Sequence, residues 1–179
     1  AGYVAKQPAN GYTLLFGSTS NMSLNPFSYP RLSYNPTRDF DPVLMLATTS
    51  QVLVTSPATG IKTLDELVQR ARTQPETLNF GSAGKGNSTH LNVEFVLAHY
   101  NIKSTHVPYK GAAPALVGLL GGETQFGADA LSSVLPHVKS GKVVPLLIFG
   151  PRRSPALPNV PTVYEAGMKN FPAAGWSGV

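Results

Sequence analysis

The chain has 179 residues, of which 42% are hydrophobic and 13% charged, with 17 glycines and 16 prolines; this length suits one ordinary domain or two small lobes, and the apolar share excludes charge-driven disorder. Fourteen Lys and Arg against nine Asp and Glu give a net charge of +5, which favours anionic ligands, but the basic residues are scattered and form no stripe interleaved with aromatics, so no nucleic-acid partner is expected. The lack of cysteine excludes disulfides, thiolate catalysis and cysteine-ligated zinc, and no apolar run approaches the roughly 18 residues of a membrane span.

The segment from Ala1 to Gln7 reads as the tail of a helix running into the Pro8-Ala9-Asn10-Gly11 turn, and Gly175 to Val179 is strand-like to its end, so a fragment is expected. No signal segment precedes Ala1, so export is not legible in these residues. Tyr12–Gly17 is an apolar run of β-formers, read as a buried strand. Ser18-Thr19-Ser20-Asn21 and the Tyr/Pro-rich stretch through Pro36 follow as loop. Strand signals return at Val43–Ala47 and Gln51–Thr55. Thr63 and Glu66 form a capping-box pattern ahead of Leu64, Leu67, Val68 and Ala71, predicting a helix from Leu64 to about Thr73.

Leu78-Asn79-Phe80 is a strand, followed by a glycine-rich turn and a helix from about Thr89 to Tyr100 that buries Leu91, Phe95 and Ala98. The order then repeats: strand Thr105–Pro108, helix Ala112–Leu120, strand Gln125–Ala128, helix Ser132–Ser140 ended by Gly141, and strand Val143–Phe149. Pro145 cannot donate to a ladder, which starts that strand near it or places it at a sheet edge. Alternating strands and helices with short connections predict an α/β fold with parallel sheet covered on both faces.

In Phe80-Gly81-Ser82-Ala83-Gly84-Lys85-Gly86-Asn87-Ser88-Thr89-His90 a strand stops at a glycine-rich loop and a helix begins. Such a loop lies at the carboxyl edge of a parallel sheet, where open α/β folds bind ligands. Unpaired N–H groups and the helix dipole hold a carboxylate or phosphate there, provided that the Ala83–Asn87 turn aims its amides into the groove. Gly81 and Gly86 have P-loop spacing, but Asn87 stands where the lysine belongs, and Thr89 replaces the third glycine of a dinucleotide loop. A tight turn that merely needs glycine explains the loop equally well. Gly17-Ser18-Thr19-Ser20 offers hydroxyls near the same edge. Asp129 follows an apolar strand, where it is placed to receive an amine or hydroxyl.

Catalytic patterns are weak. His90, His99, His106 and His137 have no metal-ligand spacing, no G-x-S-x-G elbow is present, and neither a metal nor a cofactor is expected.

Several motifs together resemble the Bug/TctC family of periplasmic solute-binding proteins of tripartite tricarboxylate transporters. They are Asn10-Gly11-Tyr12-Thr13-Leu14-Leu15, Tyr34-Asn35-Pro36 through Val43, Gly81 to Gly84 with Ser88 and His90-Leu91, Val107-Pro108-Tyr109-Lys110-Gly111, Leu120-Gly121-Gly122, and Leu157-Pro158 through Gly167. The resemblance implies a type II periplasmic-binding fold, two lobes with mainly parallel sheets flanked by helices, closing by a hinge on a small organic carboxylate without catalysis. It implies a periplasmic location, membrane permease subunits as partners, and as ligand a dicarboxylate, tricarboxylate, acidic amino acid or aromatic acid. The implied ligand-binding residues are Ser18, Thr19, Ser82, Ala83, Gly84, Gly86, Asn87, Ser88 and Asp129. Residues 1–57 and 147–179 would form part of a first lobe and 58–146 the second. The family's leading strand and the segment after its Trp-x-Gly motif have no counterpart here, which exposes sheet edges to association. Two other readings compete: a serine hydrolase, marked by Ser88 or Ser132 beside a histidine, and the effector lobe of a transcription regulator, which needs a helix-turn-helix not visible here.

Overall fold

The computed structural model describes residues 1–74, 77–171 and 175–179. Among these residues eight strands form two sheets. The larger has five strands in the order β5-β4-β6-β3-β7, from β3 (Gln51–Thr55), β4 (Asn79–Ser82), β5 (Thr105–Pro108), β6 (Phe126–Ala130) and β7 (Val144–Phe149). The smaller has the order β1-β8-β2, from β1 (Gly17–Ser18), β2 (Met45–Thr49) and β8 (Gly175–Gly178).

Helices cover both faces of the larger sheet, and the residues that face them follow the period of two of a strand. Leu53, Phe80, Phe126 and Leu147 pack against α2 (Leu64–Thr73) and α3 (Ser88–Tyr100). Val52, Val54 and Ile148 pack on the other face with Leu119 of α4 (Ala112–Leu120) and Val134 of α5 (Leu131–Lys139). The α2 pattern is met: Leu64, Leu67, Val68 and Ala71 are buried, each large side chain contributing about 1.5–3 kcal/mol. The Thr63 hydroxyl accepts the Glu66 N–H, while the Glu66 carboxylate reaches back to the Lys62 N–H rather than to Thr63.

Four expectations change. Tyr12–Gly17 is not a buried strand: only Gly17–Ser18 pairs, and Tyr12, Leu14 and Phe16 are exposed. Beyond it the polar residues wind into a π-helical turn, Thr19–Leu24, continued by α1 (Asn25–Ser28), instead of forming a loop. In α3 the buried residues are Thr89, Val93, Val96 and Leu97, so the packed face is rotated from that expected, and Ala98 is exposed. This helix is apolar around most of its circumference, which leaves periodicity little to report.

The larger sheet is not uniformly parallel. β4 runs parallel to β5 and β6, but β3 is antiparallel to both β6 and β7. Pro145 sits near the start of β7, and β7 is an edge strand, so both of its expected placements apply. Residues 51–57 and the segment from 147 to Phe171 belong with the larger sheet, where Leu147, Phe149, Val163, Met168 and Phe171 share one core with α2 and α3. The smaller sheet draws on residues 17–49 and 175–179.

Gly81 and Gly127 face each other across β4 and β6, and a Cβ on Gly127 would lie 2.8 Å from the Gly81 carbonyl oxygen. The strands cannot yield without breaking their ladder. Gly127→Ala should therefore lower the unfolding free energy by about 1–3 kcal/mol, read from urea denaturation; wild-type stability would contradict this packing account.

Candidate functional site

Because β3 runs against β6, its first residue, Gln51, pairs with the last of β6, Ala130. That places Gln51 at the carboxyl edge of the parallel strands, beside the N-terminus of α3. Gln51 Nε2 donates to Ser88 Oγ at 2.8 Å, and Asn92 Nδ2, one turn further along α3, donates to Gln51 Oε1 at 2.8 Å. From the smaller sheet's side, Ser20 Oγ lies 3.3 Å from Ser88 Oγ and accepts the Ser88 N–H at 3.3 Å. Two further contacts cross the same gap. Tyr29 donates its hydroxyl proton to the Lys85 carbonyl at 3.1 Å, and Ser28 Oγ lies 3.5 Å from the Gly86 carbonyl. Gly86 is buried beneath Ser28 at φ +76°, and a Cβ there would come within 2.9 Å of Ser28 Cβ. Only glycine meets both demands.

The expectation that the Ala83–Asn87 turn offers its amides to the groove is corrected. Ala83 N–H donates to Thr89 Oγ1, Gly84 N–H to Ser82 Oγ, Gly86 N–H to His90 Nδ1 and Asn87 N–H to the Gly84 carbonyl. Asn87 is the N-cap, with Oδ1 accepting the Thr89 N–H at 3.0 Å. Four of the five amides of the turn are thus engaged within the loop and α3, that of exposed Lys85 excepted, and the loop presents the Ser88 hydroxyl and N–H toward Ser20.

The other sequence-predicted residues divide. Ser18 is tied locally, its N–H on Asn21 Oδ1, and Thr19 Oγ1 accepts the Trp176 N–H at 2.8 Å, so both brace β1. Ser82 is fully buried with Oγ 2.6 Å from His106 Nε2. It is the serine beside a histidine, whereas Ser88 pairs with Ser20, Gln51 and Asn87. Asp129 lies within β6 and pairs with Val52, on the face covered by α4 and α5 and opposite α3. The structure thus brings Ser88 to Ser20 and Gln51, and does not join Asp129 to them. Gln51, Asn92 and Tyr29 escaped the sequence reading, while Ser20 figured in it as one hydroxyl of the Gly17–Ser20 segment. For Gln51 the signal was a polar residue opening the apolar run Val52–Val54, and it becomes legible only once β3 is known to be reversed.

Size alone does not mark this site. A cavity of about 860 Å³ lies among Val4, Leu14, Phe40, Leu44, Trp176 and Val179 and touches none of the candidate residues. Among the described residues no group of three His, Asp or Glu side chains is placed to hold a metal ion, and no helix is long and apolar enough to cross a membrane.

Two sheets joined by crossing strands, with a polar seam between them, define the architecture of periplasmic solute-binding proteins. The sequence matches the tripartite tricarboxylate transporter family receptor, TctC, over residues 1–179, and the chain belongs to that family. It is 37% identical over 177 residues, 98% of this chain and 52% of the relative, to the UPF0065 protein of the tcbD-tcbE intergenic region of Pseudomonas sp. strain P51. It is 34% identical over 176 residues, 98% of this chain and 54% of the relative, to the protein BugT of Bordetella pertussis. Among solved structures it resembles R. palustris Rpa4515 with adipate, at a TM-score of 0.93 and 32% identity, over 99% of this chain and 59% of that one. MatC of Rhodopseudomonas palustris with bound malate superposes at 0.89 with 29% identity, over 99% of this chain and 60% of that one. The periplasmic binding protein BugD superposes at 0.92 with 26% identity, over 99% and 59%. The chain spans about half the length of the curated relatives it matches. Its family is one of transporter receptors, not of enzymes.

Burial raises the pKa of the Asp129 carboxyl above its ordinary value, opposed in part by the Ala130 N–H bonded to it at 2.6 Å. The folded state thus binds this proton more tightly than the unfolded state, so the group's contribution to stability falls as pH rises through its folded pKa. Asp129→Asn should be at least as stable as wild type at about pH 7 and lose that advantage at about pH 3. Urea unfolding at the two values tests this; a variant less stable at neutral pH and equal in acid would reverse the assignment.

Proposed function

We propose that the protein is a periplasmic receptor that captures a small organic carboxylate between its two sheets and delivers it to the membrane permease subunits of a tripartite tricarboxylate-type transporter. The observation that carries this is the Ser20 hydroxyl seated on the N-terminus of α3. Ser20 Oγ accepts the Ser88 N–H beside Ser88 Oγ, which itself receives Gln51 Nε2, as a carboxylate oxygen would. A ligand oxygen displacing Ser20 would meet two neutral donors, the Ser88 N–H and the Ser88 hydroxyl once it turns from Asn87 Oδ1, at the positive end of a 13-residue helix, an arrangement that stabilises an anion without a cationic side chain. Rpa4515 is described with adipate and MatC with malate, both dicarboxylates, which supports the same ligand class here.

The hinge of such a receptor would include the passage between sheets at Ser50, between β2 and β3. The Ser50 carbonyl accepts the Leu131 N–H at 2.9 Å, so this crossing is fixed to the larger sheet. Ser18, Thr19, Ser82, Ala83, Gly84, Gly86 and Asn87 then shape the seam, Ser88 contacts the ligand, and Asp129 lies behind the sheet.

Adipate or malate in excess should raise the melting temperature, since a ligand at about 100 times its Kd stabilises by about 2.7 kcal/mol. Ser88→Ala should weaken binding by about 10- to 100-fold, the equivalent of a hydrogen bond to a charged group. A flat response to a panel of di- and tricarboxylates, or full affinity in the variant, would overturn the proposal.

A further inference from the structure

The loop before α3 rests on two histidines whose chemistry the carboxylate reading does not use. His90 of α3 and His106 of β5 stack with ring centroids 3.9 Å apart, and Phe80 of β4 stacks on His106 at 4.9 Å. Each imidazole secures one glycine amide of the loop. His90 Nδ1 accepts the Gly86 N–H at 3.2 Å. His106 Nε2 lies 2.6 Å from Ser82 Oγ, which accepts the Gly84 N–H at 3.2 Å.

An Nδ1 that accepts carries no proton, so the His90 proton sits on Nε2, 3.5 Å from Glu94 Oε1. Uptake of a second proton would set an N–H on Nδ1 directly against the Gly86 N–H, replacing an attraction with two opposed donors. The charged and titratable groups around the ring are Glu94, His106, face to face with it, and Lys85 in the loop, while Phe80, Ser82, Ser28 and Tyr29 carry no charge. His106 itself is held down to about 4, first by burial and then by His90 and Lys85. Gly86 is buried at positive φ beneath Ser28, and Ser88 follows two residues later, so a shift of Gly86 displaces the donors that face the seam.

We propose that His90 is a positioning residue: its neutral imidazole anchors Gly86 and thereby sets the Ser88 donors for carboxylate capture, so that capture weakens when the ring takes up a proton. This rests on the carboxylate-receptor reading, and two readouts separate it from that reading.

The first needs no ligand. In ¹H–¹⁵N spectra of the chain, the Gly86 amide should titrate with the same midpoint as the His90 ring, and His90→Asn, whose Oδ1 can replace Nδ1 as a non-titrating acceptor, should abolish that titration. The second uses adipate: between about pH 7.5 and about pH 5.5 wild-type affinity should fall about five-fold more than that of His90→Asn, the variant correcting for ionisation of the ligand itself. His90→Ala should bind weakly at both values. A Gly86 amide indifferent to the His90 titration overturns the anchor, and equal pH dependence in wild type and His90→Asn overturns its role in capture. If neither adipate nor malate binds at about pH 7.5, the carboxylate reading fails, and the amide titration decides the anchor by itself.

Discussion

Everything at the seam depends on how the first turn of α3 is held. Its N-terminus would otherwise present unpaired N–H groups, and each is assigned a partner: Thr89 N–H to the Asn87 side chain, Ser88 N–H to Ser20 across the gap. Gln51 then fixes Ser88 Oγ from the reversed strand, and Asn92 fixes Gln51. The chain of bonds runs from the smaller sheet through Ser20 and Ser88 to the larger sheet and back into α3. It is short and neutral; Gln51 is the member with the most rotamer freedom to lose, and its bonds at both ends, to Ser88 and to Asn92, hold it in place.

That neutrality decides what the seam can discriminate. Hydroxyl and amide donors recognise a carboxylate oxygen with little regard for the rest of the molecule, so in the proposed receptor the charge of the ligand would be read at α3 and its shape elsewhere. Asp129 is badly placed for that task. It faces α4 and α5 on the far side of the sheet, and its raised pKa reports burial, not a cationic partner. The only ion pair with a basic side chain other than histidine among the described residues, Arg153 with Glu165, lies on the surface far along the chain and contributes little in water.

Much of the fold was legible because local and global signals agreed. The α2 boundaries, strand Thr105–Pro108 and helix Ala112–Leu120 all match the sequence reading, where apolar period, caps and glycines point the same way. The failures have specific causes. The run Tyr12–Gly17 has strand composition but finds no partner for most of its length, and composition cannot supply one. Alternation of strands and helices suggested uniform parallel order, yet β3 follows β2 without a helix, so nothing forces it to run with its neighbours. The site suffered most from that error, since the direction of β3 is what brings Gln51 to Ser88.

The exposed apolar groups carry a related lesson. Tyr12, Phe16, Val43, Leu44, Met45 and Leu46 are all more than half exposed and gather on the smaller sheet, where β2 has no buried residue and forms an open edge. The larger sheet, covered on both faces, has no comparable surface. In the solved relatives the matched part amounts to about 59% of the chain, so a comparable smaller sheet there has further polypeptide available to cover it. The Ser82–Ser88 loop is held by bonds to its own side chains and to α3, whereas the Ser20 hydroxyl, carried by the thinner sheet, bonds only Ser88 among the described residues.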